Sequence, residues 1–286
     1  MDHLLGDPAL LAVPFFVLFI VLELVALRVL ETDDDATGEA PRAGHSRKDS
    51  TASLTMGMGS VVVNLGARAV ALLGYTALYA VTPLRLDPHR WWTWVIALLL
   101  VDLLWYSYHR SSHRIRVLWA MHQAHHSSEK FNYTTALRQK WNPWGELLFW
   151  VPLPLLGLPP WMIFFVFSIN LVYQFWVHTE TISKLWRPVE LVFNTPSHHR
   201  VHHASDAEYL DRNYGGILIV WDRLFGTFRE EQQRPTYGLT HLVTTFNPFR
   251  LQYAEFALMF RQVRSARRWR DRLGYLFAPP GWSPES

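Results

Sequence analysis

The chain has 286 residues and a net charge of only +3; half of its residues are hydrophobic, 15% are aromatic and 18% are charged. Soluble domains carry about a quarter charged residues, so this composition points to a membrane class. Cysteine is absent, which excludes disulfides, thiolate-ligated haem, iron–sulfur clusters and Cys-type zinc sites and leaves any metal to His, Asp or Glu.

In chain order, Leu10 to Leu30 is an apolar run long enough to cross a bilayer, interrupted by Pro14 and Glu23. It has no basic leader and no small-residue cleavage site, so it reads as a span rather than a cleavable signal. Residues 31–52 turn from acidic to basic and Ser/Gly-rich, the composition of a solvated linker. A second span is predicted from Met56 to Val81, with Asn64 and Arg68 marking an inward-facing side. Pro83 to Arg90 makes a turn, and a third span, Trp91 to Tyr108, runs directly into His109. Residues 109–144 are polar and basic. Residues 145–177 are apolar again, but Pro152, Pro154, Pro159 and Pro160 divide them into two short arms, which fits a helical hairpin or re-entrant pair. Trp141, Trp144 and Trp150 read as interfacial anchors.

No further span follows His178. The placement of Lys and Arg predicts that residues 109–144 and 178–286 lie together on the cytoplasmic side, with the N-terminus outside. From Leu251 to Leu273, Arg261, Arg264, Arg267, Arg268, Arg270 and Arg272 stand among Phe256, Met259, Phe260, Val263 and Trp269. That is the pattern of an amphipathic helix on an anionic lipid surface. Nucleic acid is set aside as the partner of these arginines, because they follow several membrane spans.

Of fourteen histidines, His3, His45, His89 and His241 stand alone and read as ordinary surface or loop residues. The other ten cluster. His109 and His113 form H-x3-H at the end of the third span, and a helix places Asp102, Tyr106, His109 and His113 on one face. Asp102 is then either an acidic partner that fixes an imidazole's tautomer or a polar contact between spans. His122, His125 and His126 form H-x2-HH, repeated by His199, His202 and His203 with His198 in front. In a helix opened by Pro196 or Ser197, His198 pairs with His202 and His199 with His203. That is the spacing for two imidazoles on one ion. A His-rich polar turn is the bland alternative, but imidazole neither fills a core well nor holds a fixed charge near neutral pH.

His178 closes the last apolar arm and is followed by Thr179 and Glu180. Glu180 stays open between a ligand, a base beside the ligands and a surface charge; with Asp102 it is a candidate catalytic carboxylate. Ten imidazoles exceed the needs of one ion, whereas two ions with four or five ligands each would use them. All-nitrogen ligation suits Fe, Zn, Cu or Ni. Zinc there would support hydrolysis, iron the activation of O2 against a C–H bond. No G-x-S-x-G turn and no Gly-rich phosphate loop is present, so hydrolase and nucleotide readings gain no support.

The order H-x3-H, H-x2-HH, H-x2-HH after membrane spans resembles the fatty acid hydroxylase/sterol desaturase superfamily of integral-membrane di-iron oxygenases. Within it, six stretches look like the alkylglycerol monooxygenase family: His122-Gln-Ala-His-His-Ser-Ser-Glu129, Asn132-Tyr-Thr-Thr-Ala-Leu-Arg-Gln139, Tyr173-Gln-Phe-Trp-Val-His-Thr-Glu180, Asn194-Thr-Pro-Ser-His-His-Arg-Val-His-His203, Asp211-Arg-Asn-Tyr-Gly-Gly216 and Trp221-Asp-Arg-Leu-Phe-Gly-Thr227. The resemblance covers residues 90–250; the first ninety residues show none of their own. It implies two iron ions, O2, and a tetrahydropterin or other external electron donor. The implied reaction hydroxylates the ether-linked carbon of an alkylglycerol to give a fatty aldehyde and a glycerol.

Carried over by position, the ligands are His109, His113, His122, His125, His126, His178, His199, His202 and His203, with His198 a tenth. Arg114 departs from the family, which often has Glu after its H-x3-H. The partners implied are a lipid with a long alkyl chain, the membrane and an electron-transfer protein. The expected fold is all-α, an integral membrane protein of about three to five transmembrane helices under a cytoplasmic His-rich helical cap holding a dimetal site. Residues 1–90 then supply N-terminal spans and linker, 91–250 the catalytic domain and 251–286 a basic amphipathic tail. Alternatives are a fatty-acid or sterol C–H hydroxylase or desaturase, a scaffold with structural zinc, and a metal-transport or storage protein. Transporters place ligands near the midplane, whereas these histidines gather at one face.

Overall fold

Proline and glycine placement sets where the long apolar runs begin and end as helices. The computed structural model describes residues 6–37, 44–241 and 245–284. Its principal helices are α1 (Val13–Thr37), α2 (Arg47–Val81), α3 (Trp91–Arg114), α4 (Arg116–His122), α5 (Pro160–Trp176), α6 (Pro196–His202), α7 (Pro248–Ser265) and α8 (Trp269–Phe277). Shorter helical turns fill the connections. Among the described residues there is no strand, only the isolated bridges Phe193–Leu218 and Ala204–Tyr237.

The path alternates between two ends. α2 leads away from the histidines, the turn after Thr82 reverses it, and α3 returns. Residues Trp144–Phe149 and Pro152–Leu155 lead away again in two short helices, and α5 returns. The expected hairpin over 145–177 therefore forms. At the far end the two turns are tied together: the Leu86 N–H donates to the Gly157 carbonyl at 2.9 Å, and the Thr82 hydroxyl to the Leu155 carbonyl at 2.8 Å. Gly157 has φ +90, and a Cβ there would stand 2.8 Å from the Leu84 backbone, so glycine is needed at that turn.

The core between α2, α3, the descending arm and α5 holds Trp105, Tyr108, Trp150, Leu153, Met162 and Phe167. Trp150 is fully buried and packs on Phe167 at 5.0 Å, so it is a core residue rather than the interfacial anchor expected. Trp141 is half-buried and donates its indole N–H to the Met56 carbonyl at 2.9 Å; of the three, Trp144 stays exposed. α2 and α3 are long and apolar enough to cross a bilayer. The outward side chains of α2, Met58, Val62, Leu73 and Val81 among them, are bare. Water does not tolerate such a belt, whereas hydrocarbon does. This is a membrane protein.

Polar groups inside the bundle tie its elements to one another. Arg68 faces inward as expected and donates to Asp7 at 2.9 Å and Ser168 at 3.3 Å. Asn64 instead turns back to the Ser60 carbonyl of its own helix. Glu23, buried in α1, accepts from the Tyr133 N–H at 2.9 Å and the Thr179 hydroxyl at 2.5 Å, and lies 3.0 Å from His45 Nε2. His45 is thus paired rather than alone; His89 and His241 are exposed, and His3 lies outside the described residues.

The expected linker over 31–52 is shorter than composition suggested. α1 continues to Thr37 and α2 begins at Arg47, with 38–43 outside the described residues. Asp49 is buried, not solvated: it accepts from Arg138 Nη2 at 2.5 Å and from the Ser128 hydroxyl at 2.7 Å. The tail is also not one helix. An extended Ala266 separates α7 from α8, and Glu255 on α7 pairs with Arg116 on α4 at 2.9 Å.

Removing one partner of a buried ion pair leaves the other charge uncompensated. Asp49→Ala is expected to lower stability by about 3–5 kcal/mol, read as the unfolding transition in detergent.

Candidate dimetal centre

Five segments deliver histidines to one end of the bundle. The last turns of α3 carry His109 and His113, and α4 ends on His122. A 3-10 turn carries His125 and His126, His178 follows α5, and α6 carries His198, His199 and His202, with His203 at its end. Pro196 opens α6, as the sequence suggested; its fixed φ suits a first helical turn.

The rings form two sets. His109, His113, His122, His126 and His202 make one, and His125, His178, His199 and His203 the other. Within each set, one ring nitrogen per residue lies within 4.8 Å of all the rest. The four-residue spacing keeps His109 with His113, His122 with His126, and His199 with His203. His125 and His202 cross to the opposite set, so each H-x2-HH motif feeds both.

The tenth histidine is elsewhere. His198 Nε2 lies 2.9 Å from Glu190 and its Nδ1 3.3 Å from the Thr195 hydroxyl, so both ring nitrogens are taken. The predicted pairing of His198 with His202 gives way to this buried carboxylate. Burial alone would raise the Glu190 carboxyl, but hydrogen bonds from His198, the Leu185 N–H and Ser197 hold it down at about 2.

Backbone carbonyls fix the tautomers. Nδ1 donates to Tyr214 O from His109 (2.8 Å), to Gln174 O from His178 (2.7 Å), to Arg212 O from His202 (2.9 Å) and to Arg138 O from His125 (3.3 Å). A carbonyl only accepts, so Nδ1 carries the proton and Nε2 presents its lone pair inward. His109 and His122 bring Nε2 atoms to 3.0 Å, His122 and His126 to 3.1 Å, and His178 and His199 to 3.0 Å. Nε2 of His113, His202 and His203 and Nδ1 of His199 are buried with no protein partner. His125 and His178, both with Nδ1 on a carbonyl, bring their Nε2 atoms to 3.3 Å of one another; two lone pairs facing one another away from water are costly unless a cation lies among them. The donor set therefore fits two nitrogen-seeking metal ions.

Burial favours the neutral rings that metals require. It pushes His178 down to about 3 and His202 to about 4, and burial with the neighbouring rings holds His122, His125, His126, His199 and His203 well below the usual value.

Asp102 touches no imidazole. It accepts from the Ile217 N–H (2.7 Å), the Leu218 N–H (3.0 Å), the Trp221 indole (2.9 Å) and Asn170 (2.7 Å). Of its two expected roles, the contact between elements is the one formed. Asp222 clamps the same loop through the Tyr214 and Gly215 N–H groups, at 2.8 and 2.7 Å. The Tyr214 carbonyl is the one that orients His109, so these carboxylates act on the site through the loop. Asp222, within a stretch quoted above only for its resemblance, is a positioning residue that sequence reasoning did not single out; an Asp beside Trp221 in that stretch was its one signal.

Glu180 is in neither set. It accepts from the Tyr237 hydroxyl at 3.2 Å; Tyr237 stacks on Phe131, which packs on His178 and His203. Arg114 donates to one oxygen of Asp211 at 2.7 Å, and the other lies 3.7 Å from His113 Nδ1. The reversed charge at 114 is thereby balanced before it reaches the ring.

Residues 94–227 match the fatty acid hydroxylase family. Over that stretch, a little under half of its length, the chain is similar to this family. All nine clustered imidazoles, Asp102 and Asp222 fall within the matched stretch. The chain is 38% identical to an alkylglycerol monooxygenase of Homo sapiens over 280 residues, covering 96% of this chain and 59% of that protein. It is 40% identical to that of Danio rerio over 276 residues, with coverage of 96% and 59%. An ornithine lipid hydroxylase of Rhizobium tropici is 29% identical over 142 residues, covering 47% of this chain and 41% of that protein. The chain thus spans under two thirds of the length of the alkylglycerol monooxygenases it matches. The similarity over 96% of the chain takes in most of the first ninety residues, where motif reading found none. No solved structure matches the chain.

Two outcomes follow for this centre. His178→Ala, which leaves its set three imidazoles, should lose about half of the bound metal, since a closed site takes four ligands, whereas His198→Gln should retain both ions; elemental analysis of purified protein distinguishes them. The depressed imidazoles also set a pH dependence. Folded rings stay neutral where unfolded ones protonate near about 6.5, so the unfolded state binds more protons and stability falls as pH drops from about 7 toward 4. The unfolding temperature of metal-free protein across that range reads it.

Proposed function

We propose that the chain is a membrane di-iron, O2-dependent lipid monooxygenase that hydroxylates the ether-linked carbon of an alkylglycerol. The observation that carries this reading is the pair of all-imidazole sets, five and four rings with inward lone pairs, at the end of helices able to cross a bilayer. A lipid chain can reach such a site from the hydrocarbon layer. The names of the alkylglycerol monooxygenases that match 96% of the chain support the substrate.

In this reading His109, His113, His122, His126 and His202 hold one iron, and His125, His178, His199 and His203 the other. Bound iron would supply O2 activation against a C–H bond. One oxygen atom enters the C–H bond beside the ether oxygen. The other leaves as water with two electrons and two protons from a tetrahydropterin, or from another donor such as an electron-transfer protein. The hemiacetal then passes its hydroxyl proton to the glycerol oxygen as the C–O bond breaks, giving aldehyde and glycerol. The protein's own part is to hold the rings by backbone carbonyls, to keep water out by burial, and to place Glu180 with Tyr237 at the edge of the second set. There Glu180 is the candidate catalytic carboxylate that accepts or returns a proton. Asp102 positions the loop behind His109.

The topology belongs to the same proposal: an all-α fold with three to five transmembrane helices, multi-pass, with the histidine-bearing cap on the cytoplasmic side. The basic 109–144 segment and arginine-rich tail at that end support it. Residues 1–90, 91–250 and 251–286 then act as membrane spans, hydroxylase domain and basic tail.

The test is metal analysis of detergent-purified protein, then anaerobic incubation with an alkylglycerol and tetrahydropterin, then O2. About two irons per chain with release of fatty aldehyde is the expected result. Two irons without aldehyde would move the substrate to fatty acids or sterols. Tightly held zinc, with no O2 uptake after iron is restored, would overturn the oxygenase.

A further inference from the structure

α7 has one face that meets the protein and, beside it, an apolar face that does not. Leu251, Gln252, Glu255 and Met259 form the buried face, against α4 and the start of α2. Phe249, Tyr253, Phe256 and Phe260 recur at four-, three- and four-residue steps and form a second stripe beside it. Phe249, Tyr253 and Phe260 are 66%, 41% and 53% exposed. α8 repeats the device with Trp269, Leu273 and Phe277, spaced by four residues and 70%, 43% and 57% exposed. Isolated apolar side chains on a surface are ordinary, but two continuous stripes on adjoining helices are not.

The charges flank these stripes. Arg250, Arg261 and Arg264 lie along the outer side of α7, and Arg267, Arg268, Arg270 and Arg272 surround the start of α8; all seven are exposed. The acids over the same stretch are Glu255, which is buried against Arg116, and Asp271. The surface is therefore apolar in the middle, cationic at the rim, and poor in anions.

Its height in the fold is fixed independently. Phe249 packs on Trp141 at 5.1 Å, and Trp141 in turn bonds the Met56 carbonyl and lies over Gly59. The bare apolar belt of α2 begins at Leu54 and Met58. The aromatic stripe of α7 thus starts level with the edge of that belt, where lipid headgroups meet hydrocarbon. The Glu255–Arg116 pair and the Arg116 N–H to Ala278 carbonyl bond pin both helices to the cap at that level.

We propose that α7 and α8 form an interfacial anchor, with Phe249, Phe260, Trp269 and Phe277 entering the bilayer and the arginine rim binding anionic lipid headgroups. The anchor holds the cap against the leaflet at which the histidines emerge. This is independent of which reaction the metal centre performs.

Because the chain has no cysteine, single cysteines can be introduced and spin-labelled cleanly. Phe260→Cys and Trp269→Cys probe the stripes, and Arg261→Cys, on the arginine side, is the reference. Each full-length variant is placed in bilayer discs of phosphatidylcholine alone or mixed with phosphatidylglycerol. Collision with O2, which concentrates in lipid, is compared with collision with a water-soluble nickel chelate. The expected O2-to-nickel ratio is several-fold higher at 260 and 269 than at 261, rises further with phosphatidylglycerol, and loses that rise when Arg268 and Arg270 are changed to Gln. Water-like ratios at 260 and 269 in both lipids would overturn the anchor. Equal immersion in both lipids would overturn the anionic partner. Dipolar coupling between labels on two chains would assign the surface to a second copy instead.

Discussion

Imidazoles buried together with fixed lone pairs converging are stabilised by positive charge among them. Protonating the rings would supply that charge at the cost of mutual repulsion in a low-dielectric site. Metal ions supply it without that cost and use every lone pair. Much of the surrounding structure serves this one constraint. The ends of α3 and α5, the turn after α4, and α6 all finish at the same level because each must present rings to one of two points. A bundle offset by one helical turn would move a ring by about 5.4 Å, beyond the span within which the nitrogens of a set lie.

The rings are oriented mainly by backbone rather than by other side chains. Tyr214, Gln174, Arg212 and Arg138 give carbonyls to four of them. A carbonyl cannot change protonation state, so the tautomers are set without adding a titratable group. Rigidity is then transferred to the elements carrying those carbonyls. Asp102 and Asp222 hold the 214–218 loop, and the buried Arg138–Asp49 pair holds the segment behind His125. Carboxylates in this cap are spent on the scaffold, which leaves the metal sets all-nitrogen. Glu180 is the exception, one aromatic layer away from the second set through Phe131 and Tyr237.

The membrane-facing part obeys a different rule. α2 exposes Val and Leu along most of its length, while its polar residues are concentrated where other elements meet it: Asp49 at the cap and Arg68 at Asp7 and Ser168. Where the apolar belt ends, the surface changes to aromatic and arginine side chains, the composition suited to a headgroup layer. The two halves of the molecule therefore share an axis and differ in the solvent for which each was built.

Features that follow from local periodicity, or from chemistry that few residues can perform, can be read along the chain alone. The apolar runs of α2 and α3, the proline-split hairpin over 145–177 and the gathering of the clustered histidines were all legible. So was the four-residue pairing of His199 with His203, because a helix places those rings on one face wherever it sits. Tertiary structure decided what depends on partners far along the chain. His198 shares the motif of its neighbours, yet Glu190 captures it; His125 and His202 join the set opposite to that of the motif partners beside them. Trp150 looks like an anchor until Phe167 closes over it, and Asp49 looks solvated until Arg138 arrives from 89 residues away. Periodicity fixes the direction of a side chain relative to its own helix; only packing fixes what it meets there.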